Sequence, residues 1–199
     1  MNSFEALSAE KLNANRIELC KSLNLDGLTP DIIEVKKSLD LLSIPLKVMI
    51  RCRPGNFIYN NSEVEKMLED IKLIKKIGVK EIVFGALTKE KKIDIDLINK
   101  IVQNSIPMKT TFHKAIDKTE NISNELEKLY GIHAIKSILT SGGEKTAVEG
   151  SKKIKELIKK HGKRFNFIVA GSVKKDNLIK IHKKIRANEY HGRDIIGTL

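Results

Sequence analysis

Residues 47–59, KVMIRCRPGNFIY, decide the fold. An apolar run ends in two arginines with a cysteine between them, and Pro-Gly follows. In a β-strand alternate side chains share a face. Val48, Ile50 and Cys52 therefore point one way, and Met49, Arg51 and Arg53 the other. Leaving a charge unpaired beneath a helix is costly. The arginines are thus expected to face an interior axis or its mouth, with Cys52 packed on the opposite side. The Pro-Gly step can relax this parity at Arg53.

Outward from this strand, two periods alternate along the chain. Upstream, 3–13 reads as a helix, RIELC (16–20) as a strand, and 31–42 as a helix opened by Thr29, Pro30 and Asp31. Residues 45–51 form the strand just described. The next helix spans 62–78, with Ser62 and Glu65 as a capping box and Gly78 as its stop. Strands are expected at 81–87, 107–113, 134–140, 165–171 and 189–192. Helices are expected at 94–104, 122–130, 146–161 and 175–185. Regular alternation of this kind means a parallel sheet with helices outside it.

A doubly wound sheet usually carries a Gly-rich loop after its first strand. Here RIELC is followed by KSLNLDGLTP, with one glycine. Polar residues collect instead at the ends of several strands, which is the habit of a (β/α) barrel. The expectation is a single domain over 1–199: a TIM-type barrel, incomplete, with seven recognisable strands. A full barrel has eight strands, so the first strand, and with it the last helix, is expected to be missing.

Composition limits the function. Of 199 residues, 41% are hydrophobic and 31% charged, as in an ordinary globular protein. No apolar run is long enough to span a bilayer, and the N-terminus lacks the pattern of a secretory signal. A cytoplasmic protein without a membrane partner is expected. Two cysteines do not make a disulfide framework. The net charge of +12 comes mostly from lysines spread along helices, with no Arg-rich tract, zinc spacing or aromatic platform. A solvated basic surface is a better reading than a nucleic-acid site.

Strand parity also selects the mouth. Glu18 and Cys20 point inward from RIELC, Thr111 and His113 from KTTFH, and Glu189 and His191 from EYHG. The loop LTSGGEKT offers Thr140, Ser141 and the backbone N–H groups of Gly142 and Gly143, a possible anion cradle. Arg51 and Arg53 would join it in binding an anion. Glu18, His113 and Asp117 are candidate acid/base groups. Glu18 reads equally well as a barrel-filling partner of Arg51 or Arg53. His133, His161 and His182 are expected at the surface.

NRIELCKSL, GLTP, VMIRCRPGNFIY, FHKAID, ILTSGG and AGSVKKDN follow one another in an order and spacing that resemble the CutC family, the proteins named for copper homeostasis. The resemblance runs from about Asn2 to His191. It implies a TIM-type barrel, a cytoplasmic location, a homo-oligomer (dimer or tetramer) and copper-ion binding. The copper site proposed for the family pairs a first-strand cysteine with one that corresponds to Cys20. The first of these would fall upstream of Met1, so the resemblance implies Cys20 as a metal ligand, with His113 and His191 as candidate imidazole ligands. Departures from the family pattern, among them Cys52, Pro54, Asn56, Lys114 and Ile116, cluster around the mouth. Three readings follow: a copper-binding protein, a barrel enzyme acting on a small phosphate- or carboxylate-bearing molecule, or a structural remnant with no retained activity.

Overall fold

The computed structural model describes residues 2–197. Seven parallel strands form one sheet in sequence order: β1 Ile17–Leu19, β2 Leu46–Met49, β3 Glu81–Phe84, β4 Lys109–Phe112, β5 Ile135–Thr140, β6 Asn166–Val169 and β7 Glu189–Tyr190. The helices that precede or connect them are α1 Ser3–Lys11, α2 Ile32–Leu41, α3 Asn61–Lys76, α4 Ile95–Ser105, α5 Ile122–Lys128, α6 Ser151–His161 and α7 Leu178–Ile185. This is a TIM-like barrel left open between β1 and β7. The sheet curls far enough for Arg16, just before β1, to form an ion pair with Glu189 on β7.

The strands are shorter than the apolar runs that announce them. Arg51, Gly85 and His113 leave the ladder and form the rim of the mouth. The α3 start also differs from expectation. Its capping box uses Asn60 and Glu63, two residues ahead of Ser62 and Glu65. The Glu63 N–H donates to Asn60 Oδ1 (3.0 Å), and the Asn60 N–H to Glu63 Oε2 (2.9 Å). Gly78 follows the helix with φ +97°, a conformation that favours glycine at a helix stop.

Alternation along each strand divides the interior into two layers. Ile17, Leu19, Val48, Ile50, Ile82, Phe84 and Phe112 face the helices in one continuous core. The α3 stripe of Val64, Met67, Ile71 and Ile74 packs on it. Each such side chain contributes about 1.5–3 kcal/mol when fully buried. Toward the axis lie two small apolar clusters, Cys20–Met49–Val83 and Leu139–Ile168–Ala170.

Below them the axis is polar. Lys47, two residues before Met49 and so of the same parity, is buried; its Nζ donates to Thr111 Oγ1 at 2.6 Å and lies 3.2 Å from Glu81 Oε2. Burial, with Arg16 nearby, pushes the Lys47 pKa down, while Glu81 pulls the other way. His161 is also buried. Its ring nitrogens are 2.9 Å from Ser123 Oγ and 2.8 Å from the Tyr130 hydroxyl, so it is an internal polar joint between helices instead of the expected surface residue.

Candidate functional site

The C-terminal ends of the strands enclose a cavity of about 540 Å³, within the range of small-molecule sites. Glu18, Met49, Arg51, His113 and His191 reach it from strand ends, and Asp117 and Ser141 from the loops beyond.

Arg51 is 3% exposed. Its Nη1 donates to the carbonyls of Leu25 (2.9 Å) and Gly27 (3.2 Å), and its Nη2 to that of Gly55 (2.9 Å). The guanidinium therefore ties the loop after β1 to the loop after β2. Three of its five N–H groups are used in this way. Among the described residues Nε has no hydrogen-bond partner. The Tyr59 hydroxyl lies beside the guanidinium, which pulls its pKa down, but burial is the larger effect and carries Tyr59 up to about 12. The Phe57 ring lies 5.0 Å from the guanidinium carbon, a cation–π contact. Among the described residues no carboxylate lies within ion-pairing distance of Arg51. A buried cation held by carbonyl dipoles and an aromatic face, without a carboxylate, leaves a positive field in the cavity.

His113 is 4% exposed, with the Phe57 ring 4.9 Å away. The Ala115 N–H donates to Nδ1 at 3.2 Å. The neutral ring therefore carries its proton on Nε2, and that N–H has no acceptor among the described residues. Burial, reinforced by the Arg51 charge, pushes the His113 pKa down to about 3. Gly85 makes room for this ring: a Cβ there would sit 2.5 Å from Nδ1.

The remaining expected residues divide sharply. Arg53 turns away from the mouth and pairs with Glu63 at the α3 cap. After the Pro-Gly step the strand register no longer directs it. Thr140, Ser141 and the glycine loop form an anion cradle, but its anion is internal. Asp117 accepts from Thr140 Oγ1, from Ser141 N (2.9 Å) and Oγ (2.9 Å), and from Gly143 N (3.0 Å). Gly142 N donates to Thr140 Oγ1 at 2.8 Å. Asp117 thus positions the loop, and those donors are already engaged.

Glu18 pairs with neither arginine. Its Oε2 lies 3.9 Å from His191 Nδ1, across the open seam of the sheet. Cys20 sits beside Met49 and Val83. Desolvation, then the Glu18 charge, raises its thiol to about 11. Cys52 packs on the helix-side core, as its parity requires. Among the described residues no group of three His, Cys, Asp or Glu side chains is placed to hold a metal ion. Sequence reasoning missed Phe57 and Gly85. Only the glycine carries a local signal, at the end of the EIVF strand.

Residues 1–196 match the CutC family model. The chain belongs to the CutC family. It is 35% identical over 183 residues to a family protein CutC of Pasteurella multocida, covering 92% of this chain and 75% of that one. It is 37% identical over 186 residues to the human copper homeostasis protein cutC homolog, covering 94% and 68%. A solved structure bearing the copper homeostasis protein CutC name, from Streptococcus agalactiae, superposes with a TM-score of 0.87 at 29% identity, covering 91% of this chain and 89% of that one. The N-acetylneuraminate lyase of Fusobacterium nucleatum shares the barrel fold alone, with a TM-score of 0.68 at 12% identity over 98% and 63% of the chains.

His113 provides a direct test of the electrostatics. Its folded pKa lies below the ordinary 6.5, so the unfolded chain takes up this proton first as pH falls. The neutral ring's contribution to stability is complete above pH 6.5 and declines as pH drops toward 3. Imidazole NMR should show His113 neutral, with the proton on Nε2, at pH 5. Titration near 6.5 would contradict the geometry.

Proposed function

We propose that this copper-homeostasis-family chain binds a small molecule in its mouth through a carboxylate or carbonyl oxygen that meets Arg51 and His113. The observation that carries the reading is the buried Arg51 cation without a carboxylate partner, sharing a cavity with a buried, acceptorless His113 N–H. A ligand oxygen would compensate both desolvated groups. Glu18, beside His191, is the group left to move a proton on such a ligand. Asp117 serves by fixing the 140–143 loop. A cytoplasmic location and a homo-oligomer, with Phe4 and Ile33 among the exposed apolar side chains, belong to the same proposal.

Copper as cargo is a second reading, favoured by the thiol of Cys20 and the thioether of Met49 in one apolar cluster. Soft sulfur ligands suit Cu(I). The raised Cys20 pKa means that binding there would have to displace a thiol proton.

Two titrations test these readings. Oxalate, a small dicarboxylate probe, should bind saturably by calorimetry and weaken roughly tenfold or more in His113→Leu, with a similar loss in Arg51→Lys. No saturable binding by the folded wild type, or unchanged affinity in both variants, rules out the mouth reading. In Cu(I) competition against a chromophoric chelator, Cys20→Ser and Met49→Leu should each lose affinity if copper binds there. Affinities equal to wild type would remove this pair as ligands.

A further inference from the structure

The mouth has a second wall, made by the loops after the last two strands. Gly171–Ser172–Val173–Lys174 follows β6, and Gly192–Arg193–Asp194 comes shortly after β7; all of these residues line the cavity. Their backbones touch: a Cβ on Gly192 would sit 2.0 Å from the Val173 carbonyl oxygen. Gly171 takes φ +103° and Ser172 φ +54°. A Cβ on Gly171 would sit 2.8 Å from that of Ser141.

The two loops are fixed from behind. Ala147 N donates to Gly171 O at 2.9 Å, and Lys175 N to Asp194 O at 3.0 Å. Asn177 staples the first loop, donating to Ser172 O and accepting from Lys174 N, both at 2.8 Å. These bonds use carbonyls and the outer amides. Among the described residues the N–H groups of Gly171, Ser172, Gly192 and Arg193 donate to no protein acceptor. The neighbouring 141–143 loop is the reverse case, its amides being occupied by Asp117 and Thr140.

The charge on this wall is mixed but unneutralised. Lys145, Lys174 and Arg193 line it and form no ion pair among the described residues; Glu144 and Asp194 are the nearby acids. Unpaired backbone amides with adjacent cations suit a group of high charge and several acceptor oxygens. The last two βα loops of a (β/α) barrel are a recurrent place for such a group.

We infer that the loops after β6 and β7 hold the phosphate of a phosphomonoester whose carboxylate or carbonyl end reaches Arg51 and His113. The two-ended ligand rests on the mouth reading above; the phosphate cup is a separate feature and is tested separately. Chemically, the ligand class is a small phosphorylated acid or carbonyl compound.

The experiment titrates the intact 15N-labelled chain with inorganic phosphate, against sodium chloride at matched ionic strength. Saturable shifts are expected at the amides of Gly171, Ser172, Gly192 and Arg193. Lys174→Ala with Arg193→Ala should weaken binding roughly tenfold, whereas His113→Leu should leave it unchanged. Oxalate should shift His113 without displacing phosphate. No saturable shift at these four amides, shifts confined to 141–143, or equal weakening by His113→Leu would overturn the assignment. Oxalate failing to bind while the four amides still saturate with phosphate would remove the mouth reading and leave the cup standing.

Discussion

The site depends on one constraint: Arg51 is buried among backbone carbonyls and aromatic side chains, with no carboxylate partner among the described residues. Strand parity aims the side chain inward, and the carbonyls of Leu25, Gly27 and Gly55 then fix the guanidinium. Its charge helps keep His113 neutral. It also joins the first two mouth loops and stacks near Phe57, which in turn covers His113. A neighbouring carboxylate would have neutralised this corner. Glu18, Asp26 and Asp117 line the same cavity, but Asp117 is engaged by the 141–143 loop and Glu18 lies beside His191, while Glu63 sits at a helix cap with Arg53.

The mouth is therefore divided electrostatically. One glycine loop is closed by an internal anion, while the next has amides without an acceptor among the described residues. Near the seam between β1 and β7, Glu18 and His191 approach without bonding, and Arg16 bridges to Glu189. Deeper in the axis, Lys47 and Glu81 form a polar floor. Buried ionic groups of this kind are weak evidence for stability and are better explained by fixing an arrangement. The Lys47–Glu81 pair ties β2 to β3, and the Arg16–Glu189 pair ties the start of β1 to β7.

Much of the fold is legible because period and parity are local properties. KVMIRCR places Met49 and Arg51 inward and Cys52 outward without any tertiary information. RIELC does the same for Glu18 and Cys20. The α3 start slipped by two residues because Asn60 and Glu63 have the same three-residue spacing as Ser62 and Glu65, and both pairs read as capping boxes. His161 was misjudged because its partners, Ser123 and Tyr130, come from another helix and the turn after it. Parity fails at Arg53, beyond the end of β2. The TSGG loop does bind an anion, but sequence spacing does not reveal that Asp117, 23 residues before Thr140, folds back into it. The unused amides of the 171–173 loop are likewise visible only when all their potential acceptors are in place.

The central claim is that Arg51 and His113 are left incompletely satisfied for a ligand. A crystal structure of the oxalate complex tests it most directly. The account predicts a ligand oxygen about 3 Å from His113 Nε2 and in contact with the Arg51 guanidinium, with the three loop carbonyls still bound to Arg51. Oxalate seated elsewhere, with a protein group or ordered water completing both donors, would contradict it.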